Sequence, residues 1–478
     1  MKSNFKEAWH TSYYNFAIPL KTKGALLYNS AKGSLIKLES EQGLELAQSI
    51  AKWPLKILQG TLDKELIEKL LQFGFIRREG SNSELLEIRE RYWKARGVTP
   101  MVITITTTQD CNLGCFYCFE NRTKDRLEPL DINSIIILAR ETLTQNKKSS
   151  LHVDWYGGEP LLNIAFMEEC SSKLQQLCNE LKISYHSSII SNGTLWPDNP
   201  EEFVVKHRIR QVQISFDGVG ETHSKIRRLR KGYSINNLKT SFGAAYELVG
   251  KLLEVTQVDV RFNISRQNVS EVDRFIELVQ EADWLNRRYP CIILPARVSM
   301  YSEKSSFVRE IEFSQDEFEK ILQKFSHLSR NPNTVKSTWF EDGISPKNSV
   351  CAALANSSIV VGAEGLLYQC GLQVGEKNRA VGQLQKETLV PRLNQNLEFG
   401  DAGYWDNFDP TLLPNCSKCT FLPICWGGCP KKHLEGDTHS LNETSLYYRK
   451  NLPSLIAQKA NATISENYTL SDKQQFKS

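Results

Sequence analysis

From residue 101 to about residue 299, strand-like apolar runs and amphipathic helical runs take turns, and this alternation limits the fold more than any other feature of the chain. The strand candidates are residues 102–106, 151–156, 185–190, 211–216, 258–264 and 292–298. Helical runs lie between them at 132–144, 167–181, 236–253 and 271–282. Strand then helix, repeated, means βαβ units and a parallel sheet. Six such units in about 200 residues suit a partial (β/α)6 barrel, so functional side chains are expected at the C-terminal ends of its strands.

At 478 residues the chain is too long for one core, and two or three domains are expected. Residues 1–82 form a small α+β region: strand-like runs at 14–20, 24–29 and 33–38, helical runs at 41–52 and 63–73, and a closing strand at 75–77, with Gly74 as a helix C-cap. Residues 83–99 read as a charged linking helix and 100–300 as the alternating region. Residues 301–350 are a polar bridging region with one helical run, 315–325, and 351–450 are rich in cysteine. A polar, partly loose tail, 451–478, follows.

Hydrophobic residues make up 40% and charged residues 24%, ordinary globular values, and a net charge of +4 leaves no footprint for nucleic acid. The first thirty residues carry no secretory pattern, and no run approaches the roughly 18–20 apolar residues of a membrane span. The expectation is a cytoplasmic protein with neither nucleic acid nor membrane as partner. Twelve cysteines in a reducing compartment point to metal or redox chemistry rather than disulfides. Cys170, Cys178 and Cys291 stand outside the spaced groups and read as small buried residues.

The segment 106–120, Thr-Thr-Thr-Gln-Asp-Cys-Asn-Leu-Gly-Cys-Phe-Tyr-Cys-Phe-Glu, follows the first strand of the alternating region. Its cysteines, Cys111, Cys115 and Cys118, are spaced C-x3-C-x2-C. Three thiolates on one loop can hold three irons of a [4Fe–4S] cluster and leave the fourth iron open. An open metal position is the mark of a catalytic site. The next cysteine, Cys170, is too far along the chain to close a zinc site on this loop.

This spacing, with the aromatic Tyr117 before the last cysteine, resembles the radical S-adenosylmethionine (SAM) superfamily. The resemblance implies that SAM chelates the open iron. Reduction then releases methionine and a 5′-deoxyadenosyl radical that abstracts a substrate hydrogen; a flavodoxin- or ferredoxin-type protein would donate the electron. Gly157, Gly158, Glu159 and Pro160 end the second strand and resemble the family's motif for the SAM amino group. Ser191-Asn-Gly-Thr194 ends the third strand. Ser215-Phe-Asp-Gly218 ends the fourth, with His223 and Arg227 following. This resembles the S-x-D-G…H-x3-R pattern of peptide-modifying members, by which Ser215 and Arg227 contact SAM.

Six further cysteines follow: Cys351-x13-Gly365-x4-Cys370, where residues 358–369 read as a hairpin, then Cys416-x2-Cys419-x5-Cys425-x3-Cys429. Zinc-ribbon spacing is the alternative reading. The arrangement resembles the SPASM domain, which carries auxiliary Fe–S clusters. By resemblance Cys351, Cys370 and Cys429 hold one cluster, and Cys416, Cys419 and Cys425 a second. The family's usual seventh cysteine is missing, since Arg449 stands near its expected place and no cysteine follows Cys429. The second cluster's fourth ligand is then His433, Asp437, His439, water or substrate, unless that cluster is absent.

The N-terminal region resembles the winged-helix-like leader-recognition domains fused to maturases of ribosomally made peptides, which capture an extended leader by strand addition. The resemblance therefore implies a peptide maturase acting on a ribosomally made precursor, forming a carbon–carbon or carbon–sulfur crosslink or a related modification. Three rivals remain. A sulfatase-maturing enzyme would carry an aspartate directly after Cys370, where this chain has Gly371. A small-molecule enzyme of cofactor biosynthesis would have no use for the N-terminal region. A non-enzymatic electron carrier or zinc protein would need no SAM pocket.

Overall fold

The computed structural model describes residues 8–58, 62–98, 100–120, 122–235, 240–301, 303–328, 344–384, 401–465 and 468–477. The chain folds into two compact units. One comprises Met1–Val98, Asp342–Val350 and Asn407–Ser478, the other Thr99–Glu341 and Cys351–Asp406. The cysteine-rich stretch 351–450 is thus divided between them.

The first unit opens with β1 (Ala8–Thr11), followed by an antiparallel meander of β2 (Asn15–Pro19), β3 (Ala25–Asn29) and β4 (Ser34–Leu38). Then come α1 (Glu41–Ala51), β5 (Lys56–Leu58), α2 (Lys64–Gln72), β6 (Ile76–Arg78) and α3 (Glu84–Val98). Ser40 caps α1 by accepting the Gly43 N–H, and Asp63 caps α2. Strand β1 sits between β5 and β6 in a second three-stranded sheet. Sequence reasoning missed both β1, of four residues, and β5, of three. Ala25, Leu27, Ala47, Ile50, Leu70 and Phe75 share one apolar core.

The expectation of a loose tail from residue 451 fails. Helix Thr438–Lys459 runs through that point and buries Leu452, Ile456 and Ala457. Beyond it the Lys21 N–H donates to the Thr463 carbonyl at 2.9 Å, and Leu20 bridges Ile464. A sparse apolar stripe in a polar segment is enough to dock a helix.

In the second unit β7 (Met101–Thr106), α4 (Asp131–Gln145), β8 (Ser150–Tyr156), α5 (Ile164–Glu180), β9 (Ser184–Ser191), α6 (Pro200–Lys206) and β10 (Ile209–Phe216) alternate as expected. They continue through α7 (Glu221–Ile226), α8 (Ser241–Leu252), β11 (Gln257–Ile264), α9 (Val272–Glu281), β12 (Cys291–Arg297) and α10 (Gln315–Lys324). The six strands β7 to β12 are parallel and adjacent in chain order. The first part of the helix expected at 236–253 lies outside the described residues.

The expected hairpin forms from β13 (Ser358–Val361) and β14 (Leu366–Tyr368). Unforeseen is its place: β13 pairs in parallel with β7, and β15 (Gly382–Gln383) pairs with β14, giving a nine-stranded sheet. Among the described residues no helix is long and apolar enough to cross a membrane.

Candidate functional site

The cysteine loop leaves the C-terminal end of β7 and is clasped by both neighbouring loops. On one side the Gly158 N–H donates to the Thr108 carbonyl at 3.0 Å and the Glu159 N–H to the Asp110 carbonyl at 2.9 Å. A Cβ at Gly157 would stand 2.3 Å from the Thr108 carbonyl oxygen, and one at Gly158 2.4 Å from that of Asp110. Backbone meets backbone here, which only glycine permits. On the other side the Gly114 N–H donates to the Arg228 carbonyl at 2.7 Å, and the Arg230 N–H to that of Asn112 at 2.9 Å. The Arg230 guanidinium reaches the Asp110 carboxylate at 2.8 Å. Burial pulls Asp110 up, but hydrogen bonds from Lys124, Tyr233 and Arg230 outweigh it and hold the carboxyl at about 2.

At the end of β10, Asp217 accepts the Tyr117 hydroxyl at 2.7 Å, Arg227 Nε at 2.7 Å and Asn263 Nδ2 at 3.0 Å. The carboxylate is buried and so is its arginine. His223 Nδ1 accepts the Asp217 N–H at 3.4 Å. Burial, aided by the Arg227 charge, drives His223 down to about 3, so its imidazole is neutral. Glu159 is fully buried and accepts Ser191 Oγ at 3.0 Å and the Asn192 N–H at 2.7 Å. Burial raises it to about 7.

These loops enclose a cavity of about 340 Å³. Cys111, Cys115, Cys118, Tyr117, Gly157 and Gly158 line it together with Ser215, Arg227, Arg261, Asn263 and Arg297. The chain therefore brings together every candidate of the first motif set except Glu159, whose carboxylate ties β8 to β9 instead of facing the cavity. Sequence reasoning quoted Asp217 and Asn192 without a role and missed Arg261, Asn263 and Arg297. Asp217, Asn192, Asn263 and Arg297 stand at or next to a strand's C-terminal end, the place where an alternating α/β chain displays its function, so the signal was present for them, whereas Arg261 lies inside β11.

The thiols carry a further signature. Cys111 Sγ accepts the Leu113 N–H at 3.4 Å and Asn192 Nδ2 at 3.7 Å, and Cys118 Sγ accepts the Glu120 N–H. Burial pushes Cys111 up to about 12 and Cys115 to about 11, but N–H donors aimed at sulfur favour the thiolate a metal would require. Among the described residues no three His, Cys, Asp or Glu side chains converge as one metal ion demands. Three thiols spread round a cavity wall fit a multi-iron cluster, and the adjoining space fits its exchangeable partner. Cys170, Cys178 and Cys291 are buried and do not line the cavity.

The later cysteines fall in both units. Cys351 precedes the turn Ala352–Leu354, and Cys370 follows β14. Cys416, Cys419, Cys425 and Cys429 belong to the first unit. Cys419 Sγ accepts the Phe421 N–H, and Cys425 Sγ accepts those of Gly427 and Gly428. Both glycines have φ of +78°, a left-handed turn that aims two N–H groups at one sulfur. Of the suggested fourth ligands, His433 bonds the Gly427 carbonyl through Nε2 at 2.7 Å. Asp437 caps helix Thr438–Lys459, accepting the Ser440 N–H at 3.1 Å, and His439 is exposed. Arg449 pairs with Asp472.

Residues 105–284 match the family model of the radical SAM superfamily. The chain is 25% identical over 179 residues to the radical SAM cyclopropyl synthase TigE of Paramaledivibacter caminithermalis, covering 33% of this chain and 37% of that one. It is 27% identical over 181 residues to the sporulation killing factor maturation protein SkfB of Bacillus subtilis, covering 37% and 39%. It thus spans under two-fifths of the length of these two relatives. Against the serine-type anaerobic sulfatase-maturating enzyme of Klebsiella aerogenes identity is 22% over 338 residues, covering 67% and 77%. Among solved structures, native anSMEcpe with bound AdoMet and Cp18Cys peptide superposes with a TM-score of 0.56 at 18% identity, covering 76% of this chain and 100% of that one. That likeness is one of fold.

Proposed function

The chain carries a radical SAM domain, and on that premise we propose that it is a radical SAM/SPASM peptide maturase. When bound, a [4Fe–4S] cluster with exchangeable SAM supplies a 5′-deoxyadenosyl radical that abstracts hydrogen from a precursor peptide. The observation that carries the reading is the single cavity lined by Cys111, Cys115, Cys118, Gly157, Gly158, Ser215 and Arg227. In it the cysteines hold the cluster. The Gly157–Gly158 backbone, Ser215 and Arg227 receive the amino and carboxylate groups of SAM. Cys351, Cys370 and Cys429, and separately Cys416, Cys419 and Cys425, hold auxiliary clusters. A flavodoxin- or ferredoxin-type protein supplies the electron.

The N-terminal part captures a leader by strand addition. Of the meander's two edges, β2 is held at its two ends: Leu20 just beyond it bridges Ile464, and Lys477 Nζ holds the Asn15 carbonyl at 2.7 Å. Among the described residues nothing pairs with the outer side of β4, which makes β4 the edge for a leader.

A sulfatase-maturing role is disfavoured by Gly371, which has no side chain to act as base, while its neighbour Leu372 lines the cavity. The deciding experiment measures 5′-deoxyadenosine under reductant. It should form with the intact chain and vanish when Cys111, Cys115 and Cys118 are replaced by Ala. Retained cleavage in that variant overturns the assignment. A sulfatase peptide should yield no formylglycine aldehyde by mass spectrometry.

A further inference from the structure

Gln475 is 3% exposed, and its carboxamide Nε2 lies 3.6 Å from Cys419 Sγ and 2.6 Å from Ser445 Oγ. It sits there by construction. Helix Asp472–Gln475 is fixed by a capping box between Ser471 and Gln474. The Thr420 N–H, next in the chain to Cys419, donates to the Gln475 carbonyl at 2.9 Å, and Thr420 Oγ1 donates to the Gln474 carbonyl at 2.8 Å. The residue after the cysteine thus clamps the residue whose side chain reaches the cysteine's sulfur. A buried amide has little reason to face a neutral thiol, which accepts hydrogen bonds weakly; a thiolate bound to iron is a far better acceptor.

We propose that Gln475 is a positioning residue for an Fe–S cluster held by Cys416, Cys419 and Cys425. Its N–H···S hydrogen bond raises the reduction potential of that cluster. The proposal rests on the auxiliary-cluster reading given above. Reduction adds one electron and hence negative charge to the cluster, spread partly over its sulfur ligands. An N–H dipole aimed at Cys419 Sγ stabilises the reduced form more than the oxidised one. Cys425 already receives two backbone N–H groups and Cys419 one, so Gln475 completes a set of donors around the two thiolates. It also explains how a cluster short of one cysteine can be tuned from the far end of the chain.

The test is an EPR-monitored redox titration of the anaerobically reconstituted full chain. The signal lost in Cys416→Ala identifies the cluster. If no signal depends on Cys416, the auxiliary-cluster reading fails, whatever Gln475 does. If one does, Gln475→Leu should keep that signal and the iron content but lower its midpoint. A tenfold change in the one-electron equilibrium would read as 59 mV. Gln475→Glu, which keeps the shape but replaces the donor with a negative charge, should lower it further. An unchanged midpoint in both variants overturns the proposal. So does complete loss of the cluster in Gln475→Leu, since that would make Gln475 a holding group rather than a tuning one.

Discussion

Tyr117 sets its hydroxyl 2.7 Å from one oxygen of the Asp217 carboxylate and 2.8 Å from the other, tying the cysteine loop to the end of the fourth parallel strand. The same carboxylate pairs with Arg227, whose side chain is 10% exposed. Asp217→Asn removes the charge and leaves a buried guanidinium without its counter-ion. Breaking a buried pair from one side costs about 3–5 kcal/mol. Tyr117→Phe removes only hydrogen bonds, at about 1–3 kcal/mol. Thermal unfolding should rank the two in that order, and only Asp217→Asn should abolish 5′-deoxyadenosine formation. Equal melting shifts would show that Asp217 is not the hub.

Gly158→Ala places a methyl group 2.4 Å from the Asp110 carbonyl oxygen, so the cysteine loop has to move. The expected loss is about 1–3 kcal/mol, with less iron taken up on reconstitution. Gly250→Ala is the control. It lies within α8 with nothing within 4 Å of the added carbon, and should stabilise by about 0.8–1 kcal/mol. Normal iron loading in Gly158→Ala would contradict the zipped-loop account.

His223 gives the fold a dependence on pH. Its folded value is about 3 against 6.5 for the free side chain, so below pH 6.5 the unfolded chain takes up a proton that the folded chain refuses. Stability from the neutral imidazole is complete above pH 6.5 and drains away as the pH falls toward 3, with a limiting slope of about 1.36 kcal/mol per pH unit. Denaturant titrations at pH 7.5 and 5.5 should show a smaller drop for His223→Gln than for the native chain. Parallel drops would rule out this histidine as the cause.

Leader capture at β4 can be tested without truncation. Leu35 is half-buried and lies on β4 outside the apolar core that holds Ile36 and Leu38. Leu35→Glu should weaken binding of a labelled precursor at least tenfold while leaving substrate-free SAM cleavage unchanged. If a substitution at Asn15, beside the β2 edge, weakens binding and Leu35→Glu does not, the leader uses the other edge.

The parallel sheet was readable because each strand is an apolar run with helix-period sequence on either side, and the cysteine loop because thiolate spacing is a local property. The partners of Glu159 were hidden for the opposite reason. Ser191 and Asn192 lie over thirty residues away, and only the fold reveals that they donate to its carboxylate. The merger of β13 into the sheet beside β7 was equally hidden, since 250 residues separate the paired strands and neither carries a mark of the other. Asn263 and Arg297 could have been picked out from strand ends alone.

The first unit is closed by residues from opposite ends of the chain: Tyr92 OH donates to the Phe408 carbonyl at 2.8 Å, Ser30 Oγ to that of Thr420 at 2.6 Å, and Lys21 meets Thr463. A ribosome adding about 5–20 residues per second needs roughly 15–60 s to travel from Val98 to Asn407. All six parallel strands emerge in that interval. Residues 8–98 therefore wait, with Leu26 and Tyr28 of β3 outside the apolar core that holds Ala25 and Leu27, until the segment beyond Asn407 arrives to seal them. Nascent chains are at their most vulnerable to aggregation and proteolysis in that window, and cells short of chaperones should accumulate cleaved forms that retain the sheet and lack the N-terminal strands.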